Sequence, residues 1–142
     1  MKIFDSILEF HFIDGPFMVD LREGDPPEGL LERGFVPPFR KWLQFDQEYP
    51  EMDGDFESIP PIYSRNTEVP CDVIAHEIRK NGPYDGILGF SQGAVIGRVF
   101  LRVLEERKIK RYSDVVVPKF FIDFCAPFYH FSRFLVEGVE HD

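Results

Sequence analysis

Cysteine and histidine are scarce in this sequence of 142 residues, and both shortages exclude classes of site. The chain holds two cysteines and four histidines. Cys71 and Cys125 lie far apart, and neither belongs to a Cys-x-x-Cys pair or stands at metal-ligand spacing from a histidine pair. A disulfide framework needs several cysteines, and a structural zinc site needs paired ligands. We therefore predict two reduced thiols and no bound metal.

Long apolar runs and positive charge are also lacking. No stretch approaches the roughly 18 apolar residues that a membrane-spanning helix requires, and Glu9 interrupts the N-terminal residues before a secretory apolar segment can form. Sixteen Lys and Arg stand against 25 Asp and Glu, so the net charge is −9. This charge repels phosphate backbones and acidic lipids. We predict a soluble protein without nucleic-acid or membrane partners, located in the cytoplasm, with the nucleus as the alternative.

The composition is otherwise that of a globular protein. Apolar residues make up 44% of the chain and aromatic residues 15%. A chain of this length suits one domain that buries a sizeable core. We therefore predict a single domain over residues 1–142.

Residues 17–70 differ in character from the rest. They are acidic, carry Pro-Pro pairs at 26–27, 37–38 and 60–61, and show one helical patch at 39–44. A structureless stretch above about 12–15 residues is uncommon in a compact domain and is usually functional or mobile. We predict a long Pro-rich acidic loop that acts as a cover or a mobile segment.

Hydrophobic patterning predicts regular elements on both sides of this loop. Strand formers at 8–13 predict a strand, which the Asp-Gly-Pro turn at 14–16 ends. Apolar residues at helical spacing predict a helix after Pro70. We expect this helix to end near Lys80, where an Asn-Gly pair supplies a left-handed stop.

The second half of the chain predicts a strand, a helix and another strand in succession. Residues 83–90 are typical of a short buried strand, and 93–106 of a helix that is apolar on most sides. The nearly continuous apolar run 115–125 is typical of a strand covered on both faces. Apolar residues at helical spacing within 131–142 predict a last short helix. This order predicts the α/β class, with a mostly parallel sheet and flanking helices.

A chemical motif stands where the first of these strands meets its helix. The five residues from Gly89 to Gly93 read Gly-Phe-Ser-Gln-Gly, the G-x-S-x-G pattern of a nucleophile elbow. The serine of an elbow sits in a strained turn, and side chains at Gly89 and Gly93 would collide with the neighbouring strand and helix. The turn lifts the Ser91 hydroxyl to the sheet edge beside the positive end of the helix, where an oxyanion is stabilised. We predict Ser91 as the nucleophile and the backbone N–H of Gln92 as an oxyanion donor.

The run 81–94, Asn-Gly-Pro-Tyr-Asp-Gly-Ile-Leu-Gly-Phe-Ser-Gln-Gly-Ala, resembles the elbow region of the eukaryotic FSH serine hydrolase family. This family includes the ovarian-cancer-associated hydrolases and fungal polyketide-releasing thioesterases. The resemblance extends more loosely to 12–16, 39–42 and 119–122. It implies an α/β-hydrolase fold, a Ser-Asp-His triad, no cofactor, and hydrolysis of small-molecule carboxylic esters or acyl thioesters.

The chain departs from the family pattern at both ends. Family members normally open with a strand that ends in a Leu-His-Gly type motif, whose loop supplies the second oxyanion donor, and no such motif is present. The family's acid and histidine follow the nucleophile on later strands, for which the residues after 125 leave no room. We therefore expect a fold that is incomplete relative to the full one, truncated at both ends.

The chain has four histidines that could be considered for the general base, and we single out one. His130 follows the strand predicted at 115–125, at the sheet edge where the active site belongs, and is the best local candidate. The alternative is a partly exposed histidine in an aromatic loop. His141 stands at the chain end, while His11 and His76 fall in a predicted strand and helix and are interpreted as structural.

The acid of the triad has no convincing candidate. Asp123 lies inside the last predicted strand and Asp114 at its start, both away from the elbow's edge. The acidic cluster at 46–57 lacks the regular ligand spacing of a calcium loop and is interpreted as a solvated loop.

Three hypotheses remain. The first is a serine hydrolase in which Ser91 attacks an acyl carbonyl and forms an acyl-enzyme that water resolves. The second is a catalytically inactive paralogue that keeps the elbow and binds an acyl ligand or a protein partner. The third is a fragment of a longer hydrolase.

Overall fold

The computed structural model describes residues 7–19, 32–45, 64–106 and 110–124. The elements within these ranges are, in chain order, β1 (Phe17–Met18), β2 (Arg40–Lys41), β3 (Gln44–Phe45), β4 (Ser64–Arg65), α1 (Glu68–Asn81), β5 (Gly86–Phe90), α2 (Gln92–Glu106), a 3-10 turn (Lys110–Tyr112) and β6 (Phe120–Phe124).

The central unit is β5–α2–β6. The two strands pair in parallel along their full length, from Gly86 opposite Phe120 to Phe90 opposite Phe124. Helix α2 connects them and packs against both strands, and α1 packs against α2. The predicted strand–helix–strand order and the α/β class are confirmed. Among the described residues the parallel sheet has two strands, which agrees with the expectation of an incomplete sheet.

The hydrophobic core lies between the two helices and one face of the sheet. Phe100 of α2 is fully buried and meets the Tyr112 ring edge-on, with ring centroids 5.8 Å apart. Leu43 from the 40–45 segment is only 1% exposed, so the predicted loop region contributes to this core. The other buried members are Cys71, Ile74, Ala75, Ile78, Val95, Ile96, Val103, Leu104 and Val115.

The opposite face of the parallel sheet is open in the part of the chain that the structure describes. Five large apolar side chains on it are 44–65% exposed: Leu88, Phe90, Phe120, Ile122 and Phe124. The predictions of a buried strand at 83–90 and of a strand covered on both faces at 115–125 are therefore wrong for these residues. The physical reason is that α2 covers one face alone, packing Gly97 against Phe121.

The strand predicted at 8–13 is not formed. These residues run without a ladder, with Phe10 and Phe12 exposed and their ring centroids 6.1 Å apart. A strand needs a partner that satisfies its backbone groups, and no described strand runs alongside this segment. The ladder instead begins after the turn, where β1 pairs antiparallel with β2.

The 17–70 region contains more regular structure than predicted. The helical patch predicted at 39–44 is wrong, because these residues contain β2 and the first residue of β3, and β3 pairs antiparallel with β4. Helix α1 begins at Glu68, so Pro70 lies in its first turn, where a missing N–H costs nothing. Residues 20–31 and 46–63 of the predicted loop lie outside the described ranges, as does the helix predicted within 131–142.

The stop of α1 also differs from the prediction. Gly82 follows the last helical residue, Asn81, in an extended conformation with φ of −78°. Its N–H still donates to the Ile78 carbonyl, so a carbonyl of the last turn is satisfied without a left-handed residue.

Ion pairs join α1 to the 3-10 turn and to the residues that follow it. Arg79 donates from Nε and Nη2 to the two carboxylate oxygens of Asp114, at 2.8 and 2.6 Å. Two helical turns earlier in α1, Asp72 accepts a 2.8 Å hydrogen bond from the Tyr112 hydroxyl and pairs with Arg111. The hydrogen bonds from Arg79 lower the pKa of Asp114, so the carboxylate form is favoured in the folded state.

Close packing between β5 and α2 explains the first glycine of the elbow. A Cβ on Gly89 would stand 2.5 Å from the Ala94 Cα and 2.8 Å from the Gly93 carbonyl oxygen, both backbone atoms. A Cβ on Gly93 would meet no atom closer than the Trp42 Nε1, at 3.6 Å, which is an ordinary contact. The predicted collision is therefore confirmed for Gly89 and wrong for Gly93.

We expect the two glycines to respond oppositely to alanine. Gly89→Ala forces the strand and helix apart and should lower the free energy of unfolding by about 1–3 kcal/mol, the usual cost of overpacking. Gly93→Ala should change it by less than about 1 kcal/mol, because alanine suits a helix better than glycine. Urea unfolding of both variants measures this. Equal losses in both would contradict the packing argument.

The Arg79–Asp114 pair should make stability depend on acid. Because the folded-state pKa of Asp114 is lowered, its contribution is present above the unfolded value of about 3.9 and is lost as the pH falls through the folded value. Asp114→Asn should therefore be less stable than the parent chain near neutral pH, and the difference should shrink below about pH 4. Urea unfolding across this range measures it.

A double-mutant cycle with Arg79→Met supplies the control, since it isolates the coupling between the two side chains. A stability difference that is the same at pH 3 and pH 7 would show that Asp114 acts through something other than its charge.

Candidate active site

Ser91 occupies the strained turn that the motif predicts. It lies between β5 and α2 with φ of +50°, in the left-handed region that residues other than glycine rarely adopt. Its N–H donates to the Phe124 carbonyl at 3.0 Å, and its own carbonyl accepts from the N–H groups of Ala94 and Val95 at 3.0 and 3.3 Å. The turn is therefore bonded to the end of β6 on one side and to the first turn of α2 on the other.

The position of Ser91 suits a reacting hydroxyl. It follows the last residue of β5, immediately before the first residue of α2, and is half-buried. The first N–H groups of a helix have no partner within the helix and carry the positive end of its dipole. Gln92 is the first helical residue, so its N–H is one of these groups. This arrangement agrees with the predicted oxyanion donor, and the assignment stays a prediction.

The side chain of Gln92 has a contact that the motif did not predict. Its Oε1 accepts hydrogen bonds from the backbone N–H groups of Trp42 and Leu43, at 3.0 and 3.2 Å. These partners stand 50 and 49 residues earlier in the chain. A contact over that separation leaves no local pattern, so periodicity and spacing offered no signal for it.

Neither aspartate considered for the triad is available to a base beside Ser91. Asp123 stands opposite Gly89 in the ladder and forms an ion pair with Arg98 of α2. Asp114 accepts two hydrogen bonds from Arg79 of α1. Both carboxylates therefore hold elements together, a role that the sequence analysis did not predict.

The two described histidines are His11 and His76. His11 stands 3.2 Å from a carboxylate oxygen of Glu9, and its ring meets that of Tyr84 edge-on with centroids 5.1 Å apart. His76 is exposed on α1. His130 and His141 lie outside the described ranges, so the prediction of His130 as the base is untested.

Cys71 does not compete with Ser91 as a nucleophile. It is a free thiol, 1% exposed, and burial raises its pKa to about 12, with the neighbouring Asp72 adding to the shift. The thiolate is the nucleophilic form of cysteine, and it is almost unpopulated at neutral pH. Cys125 lies outside the described residues.

The described ranges contain neither a metal-binding cluster nor a membrane-spanning helix. No three His, Cys, Asp or Glu side chains there are grouped so that they could hold a metal ion. The helices described are all too short or too polar to span a bilayer.

Comparisons with known proteins identify the family. The model of the family described as Serine hydrolase (FSH1) matches residues 1–135. Esterase OVCA2 of Xenopus tropicalis is 32% identical over 74 residues, which cover 52% of this chain and 28% of the relative. Hydrolase phiM of a fungal species (strain ATCC 74256) is 35% identical over 79 residues, which cover 54% of this chain and 35% of the relative.

The aligned stretches thus span about a third of these curated relatives. No solved structure matches the chain significantly. The family model nevertheless covers nearly the whole sequence, and Ser91 stands with a positive φ at the strand-to-helix turn. The chain therefore belongs to the FSH1 family of serine hydrolases.

Proposed function

We propose that this protein hydrolyses carboxylic esters or acyl thioesters through an acyl-enzyme on Ser91. The observation that carries the proposal is the left-handed conformation of Ser91 at the junction of β5 and α2, with φ of +50°. Strained backbone of this kind costs free energy and is concentrated at functional sites. Here the strain places the serine hydroxyl at a helix N-terminus, where a nucleophile can react. Membership of a serine hydrolase family and a relative named as an esterase support it.

The proposed reaction has two steps. The Ser91 Oγ loses its proton to a general base and attacks the acyl carbonyl, so that a C–O bond forms and negative charge develops on the carbonyl oxygen. The N–H of Gln92 donates to that oxygen. The alcohol or thiol then leaves with the proton that the base took from Ser91. In the second step the base takes a proton from water, the water oxygen attacks the acyl carbon, and the carboxylic acid leaves as Ser91 regains its proton.

His130 is the base that we propose for this chain. Ser91 is hydrogen-bonded to Phe124 at the end of β6, and His130 follows six residues later. Six residues reach up to about 20 Å when extended, so the connection permits His130 to approach the serine. A serine without a base reacts far more slowly, although oxyanion and binding contacts alone leave roughly 10³–10⁴-fold acceleration over water.

The alternative is a paralogue that binds an acyl ligand or a protein without turning it over. One observation favours it: in the described part of the chain no histidine is hydrogen-bonded to Ser91. Labelling of Ser91 by a fluorophosphonate separates the two proposals.

We expect a fluorescent fluorophosphonate to label the folded chain at Ser91. Ser91→Ala should lose the label completely, because the phosphonate reacts with an activated serine. Ser113→Ala is the matched control, since Ser113 is an exposed serine in the turn after the 3-10 segment and should leave labelling unchanged. Mass spectrometry of the labelled peptide locates the site.

We expect the parent chain and Ser113→Ala to hydrolyse a short-chain nitrophenyl ester, and we expect Ser91→Ala to lose this activity. A chain that unfolds cooperatively but neither labels nor turns over the ester would overturn the enzyme proposal. That result would favour the binding paralogue.

A further inference from the structure

The amide oxygen of Gln92 satisfies two backbone groups that would otherwise lie unpaired between two strands. Trp42 and Leu43 connect β2 to β3, which pair with β1 and β4 respectively. Both N–H groups donate to the Gln92 Oε1, at 3.0 and 3.2 Å. A carbonyl-type oxygen has two lone pairs, so this acceptor is fully used. Buried N–H groups are nearly always paired, and here the partner is the residue next to the nucleophile.

These hydrogen bonds bring the Trp42 ring against the elbow. The nearest atoms to a Cβ on Gly93 would be the Trp42 Nε1 and Cδ1, at 3.6 and 3.8 Å. Trp42 is half-buried and packs against the core, and the Nε1 edge of its ring lies beside the start of α2. Gly93 comes two residues after Ser91. The indole is therefore the aromatic surface that the 40–45 segment presents to the site.

The segment is also held from its other side. A Cβ on Gly15 would stand 2.4 Å from the Lys41 carbonyl oxygen, so the two backbones are in close contact. Arg40 donates from Nη1 to the Gly15 carbonyl at 3.4 Å, and Leu43 is buried in the core. The backbone around Trp42 is thus confined between Gly15 and Gln92.

We propose that Gln92 is a positioning residue whose side chain fixes Trp42 beside Ser91, and that the Trp42 ring forms a wall of the site for an alkyl or aromatic acyl chain. A flat indole offers a large apolar surface at low entropic cost, which suits such a ligand. The second half of this inference rests on the proposed function, since it takes the ligand to be the acyl group.

The first test uses the fact that Trp42 is the one tryptophan of the chain, so its fluorescence reports this position alone. Gln92→Met keeps the length of the side chain and removes the acceptor oxygen, whereas Gln92→Glu keeps an oxygen that can accept both bonds. We expect Gln92→Met to shift the emission to longer wavelength and to raise acrylamide quenching by about twofold, because a locally opened segment becomes accessible to solvent. Gln92→Glu should behave as the parent chain. Identical quenching in all three proteins would overturn the positioning role.

If Gln92→Met fails to fold, amide hydrogen exchange in the unmodified chain decides the question. Slow exchange at Trp42 and Leu43 supports the hydrogen bonds to Gln92. Exchange at the rate of an unstructured peptide at both amides would overturn them.

The second test probes the wall with 12-bromododecanoic acid, whose bromine quenches tryptophan only on contact. We expect saturable quenching of the parent chain and of Gln92→Glu, and loss of the saturable component in Gln92→Met. Quenching that rises linearly without saturation in the parent chain would overturn the wall.

The two proposals fail separately. Ser91→Ala should keep the saturable quenching, because it removes the nucleophile and leaves Trp42 in place. Saturable quenching in a chain that no fluorophosphonate labels would overturn catalysis alone. Labelling at Ser91 with linear quenching would overturn the wall alone.

Discussion

The hydrogen bond from the Ser91 N–H to the Phe124 carbonyl is the contact on which the described fold depends. It joins the end of β6 to the turn that follows β5, so it continues the parallel ladder one residue beyond the strand. With the chain bonded there, α2 must start at once and run back across the sheet. The strained φ of Ser91 is stable because bonds on both sides of the turn over-determine it. The same constraint brings the serine to the positive end of the helix.

Part of the region 17–70 is hydrogen-bonded to the junction between β5 and α2. Gln92, one residue after the serine, binds the backbone between β2 and β3, and Leu43 of that segment enters the core. A segment some 50 residues earlier in the chain is thereby part of the elbow's surroundings. Two aspartates hold neighbouring elements together through ion pairs. Asp123 and Asp114, which the sequence already placed away from the elbow's edge, form ion pairs with Arg98 and Arg79.

Predictions that rest on local sequence patterns were more accurate than predictions that depend on contacts between distant parts of the chain. Helix α1, β5 and α2 were predicted within a few residues, because their apolar spacing and their breakers are local. The strand at 8–13 and the helix at 39–44 were predicted wrongly, because strand formers need a partner strand and helical spacing yields to tertiary hydrogen bonds. Burial of the sheet was overestimated, since a continuous apolar run indicates two covered faces and the described residues cover one.

The sequence by itself determined the turn at Ser91: a Gly-x-Ser-x-Gly pattern between a strand and an apolar helix specifies a strained serine at their junction, because the backbone rules that demand it act over five residues. It also determined the need for glycine at position 89, where helix and strand approach too closely for a side chain. Only the tertiary structure decided what surrounds that serine. Asp123 pairs with Arg98, and the Gln92 side chain accepts hydrogen bonds from Trp42 and Leu43. The space beside Gly93 is bounded by Trp42. All of these contacts are between residues distant in the chain. Contacts of that kind are set by packing and by the satisfaction of buried polar groups, and neither has a local pattern.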